Sequence, residues 1–269
     1  MAGETVFWHE RLEVYQRALA FVQRAEVIGG EASESADVLG HLDRASESVA
    51  EGIVTGNSHW SAEAKSRYFG IAYGSALECA ACLDVCSVLA LVPAARCRRE
   101  KMELRTLVRM LVGLIRSQQQ GVHEPSAEYE VTSDSHRAEP CFDHERLEVY
   151  QAALGFVGWA KALTADVSLG AARRKKLDAL STSIVLNIAE GNGRFEIRDH
   201  RHFLDIAHRS TLRAALQLDL IGVRMPVTAS SIAEGKRTLG SIVRMLLAMR
   251  GHFAREARTM DGEDGKERD

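Results

Sequence analysis

Proline and aromatic residues are scarce in this chain. Its 269 residues include four prolines, and only 6% are Phe, Trp or Tyr. The low proline content, together with long stretches rich in Ala, Leu, Glu and Arg, favours helix over sheet. The low aromatic content leaves few platforms on which single-stranded bases can stack. Five cysteines, most of them clustered in the first half, do not make a disulfide framework.

Long apolar runs are also absent from the sequence. The longest run, around Val88 to Val92, is much too short to span a bilayer. Met1 to Glu4 is followed by a polar amphipathic stretch rather than by the apolar core of a secretion signal. We therefore expect a cytoplasmic protein without a membrane partner.

Neither sign of charge dominates the whole chain, whose formal net charge is −3. The two halves nevertheless differ. Residues 1–116 carry 13 basic and 15 acidic side chains, and residues 117–140 carry 1 and 5. Residues 141–257 carry 17 basic and 12 acidic side chains. The second half is therefore the basic one.

A repeat at an offset of 135 residues organises the chain. The matched segments are Phe7 and His9–Gln16 with Phe142 and His144–Gln151, Leu83-Asp84 with Leu218-Asp219, and Val108–Leu111 with Val243–Leu246. The offset holds without a gap. A repeat of about 110 residues is far longer than the unit of a solenoid. Each copy is therefore predicted to be a complete domain.

Each copy reads as four amphipathic helices joined by short turns, which predicts an all-α protein of two tandem up-down four-helix bundles. The predicted domains are copy one over residues 1–116 and copy two over residues 141–257. Residues 117–140 lack periodicity and are polar and acidic, so they are predicted to be a flexible coil linker. The charged tail, residues 258–269, is predicted to be disordered.

Local signals mark some helix ends. Helix 1 of copy one is predicted to present an apolar stripe through Arg11, Tyr15, Ala18, Val22 and Ala25. Helix 2 is predicted to stop at Gly56-Asn57 with a left-handed cap, and Ser61 is predicted to N-cap helix 3. Helix 4 follows Val92-Pro93 and runs to about Gln119.

The end of helix 2 and the middle of helix 3 carry a family resemblance. The motif in copy two is Asn187, Ile188, Ala189, Glu190 and Gly191, and the pattern in copy one includes Gly74, Ser75 and Glu78. These segments resemble the small four-helix-bundle proteins encoded by intervening sequences in bacterial 23S ribosomal RNA genes. That family is similar to the accessory variability determinant of diversity-generating retroelements, a pentameric barrel that assists a reverse transcriptase and its RNA. The resemblance implies helical packing, ring-like oligomers and nucleic-acid association, without catalysis or a cofactor.

The two copies depart from the family pattern in complementary ways. Copy one has Gly52 to Gly56 where copy two keeps the Asn-Ile-Ala-Glu-Gly motif, and copy two has Arg209 and Arg213 where copy one keeps Gly74 and Glu78. The lack of bulk at Gly74 and Ser75 would let another helix approach closely, and Asn187 would bridge helices through its amide. Two specialised halves that pair with each other explain this pattern, and neutral drift after duplication explains it equally well.

Basic residues of copy two are the candidate nucleic-acid surface. They are Arg173, Arg174, Lys175, Lys176, Arg194, Arg198, Arg201, His202, Arg209 and Arg213. Several share a helix face, and such a stripe would contact phosphates with a salt-sensitive affinity. The alternative is a solvated helix face, since Glu196, Asp199 and Asp205 are interleaved with it.

Other clusters favour structural roles over chemistry. Cys79, Cys82 and Cys86 share one face of helix 3, and we expect them with Cys97 to line the core rather than to bind a metal. The His-Glu pair at 9–10 returns at 144–145, which indicates a shared structural contact. No phosphate loop or nucleophile motif is present, so an enzyme is not expected.

Two functional hypotheses remain at this point. In the first, the protein is an adaptor that oligomerises and binds RNA, DNA or a nucleoprotein such as a reverse transcriptase through copy two. In the second, it is a purely structural protein that assembles with itself into a ring or filament without binding nucleic acid.

Overall fold

The computed structural model describes residues 7–31, 36–119, 140–166, 170–225 and 227–264. Within these ranges the chain forms eight α-helices and two 3-10 turns, and none of the described residues lies in a β-strand. The prediction of an all-α protein is confirmed.

The elements follow the repeat. Copy one contains a 3-10 turn (Trp8–Arg11), α1 (Glu13–Glu31), α2 (Asp37–Ser58), α3 (Ala62–Val88) and α4 (Ala94–Gln119). Copy two contains a 3-10 turn (Asp143–Arg146), α5 (Glu148–Asp166), α6 (Ala171–Asn192), α7 (Ile197–Arg224) and α8 (Ala229–Asp264). In each copy every helix packs on the next, and the first also packs on the last.

Two predicted boundaries differ from the structure. Residues 117–119 belong to α4 and not to the linker, which confirms the predicted end of helix 4 at about Gln119, and α8 continues to Asp264 instead of ending at residue 257. The rest of the predicted coil linker, residues 120–139, and the end of the tail, residues 265–269, lie outside the described residues.

The buried face of α1 is formed by Val14, Ala18, Phe21, Ala25 and Ile28. Their spacing alternates between three and four residues, as expected of a helix with one apolar stripe. The stripe predicted through Arg11, Tyr15 and Val22 was therefore rotated from the true one. Arg11 lies outside the helix and is exposed.

Helix capping was predicted correctly at one end and wrongly at another. The Ser61 hydroxyl accepts a hydrogen bond from the Ala64 amide at 3.2 Å, which confirms the N-cap of α3. The left-handed cap at Gly56 is wrong, since α2 runs on to Ser58 and none of the described glycines has a positive φ. Gly56 serves packing instead, because a Cβ there would lie 2.6 Å from the Phe69 ring.

Helix α3 is the central helix of copy one. It is long and apolar enough by composition to cross a membrane, with a mean hydropathy of 1.4 over its most apolar window, but 67% of that window is buried inside the protein. The sequence shows no long apolar run here because small residues separate the large apolar side chains. Ala72, Ala76, Ala80, Ala81 and Leu83 are fully or almost fully buried. Such burial on several sides requires partners beyond its own bundle.

The second partner of α3 is copy two. Helix α3 packs on α6 and α5, and α2 also touches α6. The reciprocal pair, α2 with α7, has no comparable contact among the described residues. Copy one therefore uses one surface and copy two a different surface, so the two copies are not related by a two-fold axis at their junction.

Candidate functional site: the junction between the copies

The repeated motif at the start of each copy folds the same way twice. In copy one the Phe7 amide donates to Glu10 Oε2 at 3.1 Å, and Gln16 Nε2 donates to the Glu10 carbonyl at 3.0 Å. His9 stacks on Phe7, with ring centroids 5.8 Å apart, and meets the edge of Tyr15 at 4.9 Å. Carboxylate, amide and rings thus hold a 3-10 turn against the first helix.

Copy two reproduces most of these contacts, with the Cys141 amide as the donor instead of that of Phe142. The Cys141 amide donates to Glu145 Oε2 at 3.0 Å, and Gln151 Nε2 donates to the Glu145 carbonyl at 2.7 Å. His144 stacks on Phe142 at 5.8 Å and meets Tyr150 at 4.8 Å. The expected structural contact of the repeated His-Glu pair is therefore local ordering of the turn.

In copy two this turn also docks on copy one. Lys101 of α4 donates to Asp84 Oδ1 of α3 at 2.6 Å, and its ammonium lies 2.8 Å from Glu145 Oε1. The Tyr150 hydroxyl donates to the other oxygen of Asp84 at 2.9 Å. One lysine thus links carboxylates from both copies, and its side chain is only 9% exposed.

Burial and charge set the protonation of this cluster. Burial lowers the pKa of Lys101, but the carboxylates of Asp84 and Glu145 outweigh it and raise the pKa overall. Burial, assisted by the Lys101 charge, lowers the pKa of His144 to about 3. Burial raises the pKa of the Glu145 carboxyl, although Lys101 opposes it.

The same cluster has the composition of a metal site. Ligand atoms of Asp84, His144 and Glu145 lie within 4.8 Å of one another. However, the ammonium of Lys101 already lies against both carboxylates. The buried ammonium of Lys101 already supplies the positive charge that a metal ion would bring. The arrangement therefore fits an ion-paired contact better than a metal site.

Further along α3 the backbones of the two copies come into close contact. A Cβ added at Gly193 would lie 2.9 Å from the Cα of Gly74 and 2.9 Å from Leu77 Cδ1. A Cβ at Gly74 would lie 3.1 Å from Arg194 Nε. The close approach predicted from the lack of bulk at Gly74 therefore occurs, and its partner is the end of α6.

Aromatic packing completes this end of the junction. Phe195 follows α6, and its ring lies 5.3 Å from that of Tyr73. Beside it, a cleft of about 1020 Å³ opens between the start of α3 and the start of α7. Its walls include Glu63, Arg67 and Asp199. Charged groups of both signs line it, so no single ligand charge is favoured.

Two carboxyl groups, those of Glu190 in α6 and Glu78 in α3, interact across the junction. Glu190 of α6 pairs with Arg194, and His41 Nδ1 lies 3.3 Å from Glu78 Oε1 of α3. Burial, with a further contribution from the negative charge of Glu78, raises the pKa of Glu190 to about 7. Glu190 therefore changes its charge near neutral pH at a contact between the copies.

The predicted basic set does not form one surface. Arg173 to Lys176 open α6, whereas Arg194, Arg198, Arg201 and His202 lie around the start of α7, which is antiparallel to α6. Arg194 is not on the outer surface, because it pairs with Glu190 and lies over the Phe203 ring with its side chain 12% exposed. Arg209 and Arg213 are exposed in the middle of α7.

The family motif serves packing between helices. Asn187 does not bridge helices as predicted, since its amide donates to the Ser183 carbonyl one turn earlier at 2.7 Å. The bridge between helices is a serine pair, Ser183 with Ser210 at 2.9 Å, and copy one repeats it as Ser48 with Ser75 at 2.9 Å. Ile188 and Ala189 are buried, and a Cβ at Gly191 would lie 3.0 Å from Phe203 Cβ.

The four cysteines of copy one lie in the core, as expected. Cys79, Cys82, Cys86 and Cys97 are buried and free. Burial raises the pKa of Cys86 to about 12 and that of Cys97 to about 11, so both remain thiols near neutral pH. Protonated thiols are poor nucleophiles and poor metal ligands.

Sequence reasoning missed the central residues of the junction. Lys101 was not singled out, and Asp84 was noted only as part of the repeat. A signal was present, because Asp84 and Lys101 both recur 135 residues later, as Asp219 and Lys236. Identity of a charged pair in both copies indicates a shared contact.

No curated protein and no solved structure matches the chain. The arrangement of copy one does have a described relative. Its four helices span residues 13–119, and Ser75 of the pattern that suggested the resemblance joins α3 to Ser48 of α2. Over residues 10–113, copy one matches the family model of the 23S rRNA-intervening sequence protein.

Proposed function

We propose that the protein is a non-enzymatic helical scaffold that works as an assembly of several chains. The observation that carries this proposal is the set of large apolar side chains left exposed on a chain with a well-filled core. They include Phe7, Trp8, Leu19 and Trp60 in copy one, and Leu212, Leu216 and Val223 in copy two. Trp60 is 99% exposed. Exposed apolar groups that lie together, as Leu212 and Leu216 do one turn apart on α7, mark contacts with other macromolecules.

The composition of these surfaces favours a protein partner over a nucleic acid. On α7 the exposed leucines alternate with Arg209 and Arg213. Aromatic residues, aliphatic residues and arginine together are typical of protein–protein interfaces. Leucine side chains would contribute nothing to phosphate binding.

Light scattering behind size exclusion tests the proposal over a range of protein concentrations. We expect species at multiples of the chain mass of 29.6 kDa, with a share that grows with concentration. A chain that remains a single-mass monomer at the highest soluble concentration contradicts it.

Nucleic-acid binding is the second candidate function, and one observation favours it. Arg174, Lys175 and Lys176 are exposed beside the half-buried Arg173 at the start of α6, in the copy that carries net positive charge. This cluster lies at the start of α6, whereas Gly193, which contacts copy one, follows the end of that helix. The family description names a 23S rRNA-intervening sequence, which is consistent with a link to RNA.

A variant in which Arg173, Arg174, Lys175 and Lys176 are all changed to Gln tests this candidate. We expect weaker binding to mixed RNA and DNA oligonucleotides in fluorescence anisotropy. The affinity should also depend less on salt, because a protein that makes fewer phosphate contacts releases fewer counterions on binding. Arg98→Gln with Arg99→Gln, two exposed arginines of copy one, is the control. Equal binding by both variants would dismiss the α6 cluster.

A further inference from the structure

We infer that a second junction of the same kind forms between chains. In it, copy two of one molecule binds copy one of another molecule, and the occupant of each exposed surface is a second copy of this chain. The inference rests on the proposed function, since it names the surfaces through which the assembly would form.

Four surfaces are involved. Inside the chain, the α3–α4 face of copy one, centred on Asp84 and Lys101, binds the α5–α6 face of copy two, centred on Glu145 and Tyr150. A displacement of 135 residues converts these into the α7–α8 face of copy two and the α1–α2 face of copy one. The internal junction occupies the first pair and leaves the second pair at the surface.

The α7–α8 face repeats the polar centre of the internal junction. Lys236 Nζ donates to Asp219 Oδ1 at 2.7 Å, just as Lys101 donates to Asp84 at 2.6 Å. The Lys236 side chain is 44% exposed and that of Lys101 is 9% exposed. The same ion pair therefore forms in both copies, but only the pair of copy one is buried.

The α1–α2 face repeats the other side of the junction. Its 3-10 turn holds Phe7, His9 and Tyr15 in the geometry of Phe142, His144 and Tyr150, as the matching ring distances show. Phe142 is 7% exposed, whereas Phe7 is 61% exposed. The turn of copy two is buried because it packs against copy one. Among the described residues, no segment packs against the turn of copy one in the same way.

The α7–α8 face exposes apolar side chains at positions whose equivalents on α3 are buried. Leu77 and Ala81 of α3 are buried, and a Cβ at Gly193 of copy two would lie 2.9 Å from Leu77 Cδ1. Their equivalents, Leu212 and Leu216, are about half exposed. Leu216 is larger than the alanine it matches, so this face has more apolar surface to bury than the α3–α4 face has.

Charges on the two uncovered faces are complementary. The α7 face has Arg209 and Arg213 where α3 has Gly74 and Glu78. The α2 face has exposed Glu47 and Glu51 where α6 has the buried Thr182 and Leu186. Basic groups on one face and acidic groups on the other attract each other and set the register of association.

The uncovered faces differ from the internal junction at its closest contact. The α5–α6 face needs Gly74 opposite Gly193, because a single Cβ at Gly193 would already lie 2.9 Å from the Gly74 backbone. Arg209 occupies the position of Gly74 on α7. Ser58 occupies the position of Gly193 on the α1–α2 face, so the two uncovered faces meet at a wider spacing than the glycine contact of the internal junction.

Two single substitutions at exposed helix positions test the inference, one on each face. Leu216→Glu places a carboxylate opposite the acidic α1–α2 face and blocks the α7–α8 face. Glu51→Arg places a cation opposite Arg209 and Arg213 and blocks the α1–α2 face. Each variant alone should be monomeric by light scattering under conditions where the wild-type chain assembles. Mixed in equal amounts, they keep one working face each, so they should form a species at twice the chain mass and nothing larger.

Controls separate this result from misfolding and from failure of the proposed function. Leu247→Glu changes an exposed leucine of α8 that lies about three helical turns beyond Lys236 and should assemble like the wild type, and all variants should retain wild-type circular dichroism. A wild-type chain that never associates contradicts the proposed function itself. A wild type that assembles, together with blocked variants that assemble equally well or a mixture that does not associate, overturns only the pairing inferred here.

A charge exchange gives a second, independent measurement. Arg213→Glu alone should weaken assembly at least tenfold in the concentration at half-association, as Glu51→Arg does. The double variant Arg213→Glu with Glu51→Arg exchanges the two charges and should regain most of the lost association. No recovery in the double variant would show that α7 and α2 do not face each other.

Discussion

At the scale of single residues, Gly193 allows the close approach of the two copies. Gly193→Ala should destabilise the protein by about 1–3 kcal/mol, since its Cβ would meet the Gly74 backbone and Leu77 at 2.9 Å and the backbone must shift. Gly155→Ala is the matched control. No atom lies within 4 Å of a Cβ there, so alanine should stabilise α5 by about 0.5–1 kcal/mol. Denaturant unfolding of both variants measures the difference.

Glu190 predicts an unusual dependence of stability on pH. Its pKa is raised to about 7 in the folded state, so the folded protein holds a proton that the unfolded chain releases. Its contribution to stability is therefore present at acid pH and lost as the pH rises through 7, by roughly 3 kcal/mol in total. Glu190→Gln should remove that loss, measured as the free energy of unfolding at pH 5 and pH 8.

His144 acts in the opposite direction. Because burial lowers its pKa to about 3, the unfolded chain binds a proton that the folded state does not, and stability is lost as the pH falls from about 6.5. Glu190→Gln removes the decline that Glu190 causes, so stability should rise more steeply with pH toward about 6.5 than in the wild type. A variant that keeps the decline of the wild type near pH 7 would contradict the role given to Glu190.

At the scale of helices, the repeat supplies its own control for the buried ion pair. Lys101→Met leaves two carboxylates without their cation inside the junction and should cost about 3–5 kcal/mol of unfolding free energy. Lys236→Met removes the equivalent but exposed lysine and should cost less than about 1 kcal/mol in a dilute, unassembled chain. Equal losses in the two variants would show that Lys101 does not act through burial against copy two.

Helices were the part of the structure that the sequence predicted best. The repeat, the 3.6-residue periodicity and Ser61 located most of them, because those signals depend on contacts within a helix or within one bundle. Gly56 was misread as a cap since a glycine near a helix end has the same local pattern whether it ends the helix or accommodates the Phe69 ring. Only the three-dimensional neighbour separates the two cases.

The junction was beyond prediction for a related reason. Lys101 and Glu145 occupy polar positions of their own bundles, so periodicity assigns them to solvent. Arg194 was likewise assigned to a basic surface stripe, although Glu190 and Phe203 hold it at the junction. Periodicity describes how one helix meets its own bundle and carries no information on a second bundle docked outside it. The identity of Asp84 with Asp219 and of Lys101 with Lys236 was the available clue.

At the scale of the whole molecule, the charges on the uncovered faces predict a salt-sensitive assembly. Raising the ionic strength from about 0.05 to 0.5 M shortens the range of the attraction between the arginines of α7 and the glutamates of α2. The concentration at half-association, measured by sedimentation or light scattering, should therefore increase. The internal junction is mostly buried, so the unfolding midpoint of the dilute chain should change much less. Tighter association at high salt would contradict the electrostatic part of the contact.

The unlike surfaces that meet inside the chain also restrict the arithmetic of any closed particle. Each polypeptide adds one bundle of each kind, so a ring built by repeating this contact holds equal numbers of both and an even total. Its rotational symmetry order equals the number of chains, which is half the number of bundles. Covalent fusion thus halves the symmetry and creates two inequivalent rows of surface, one basic and one acidic, that alternate around the particle.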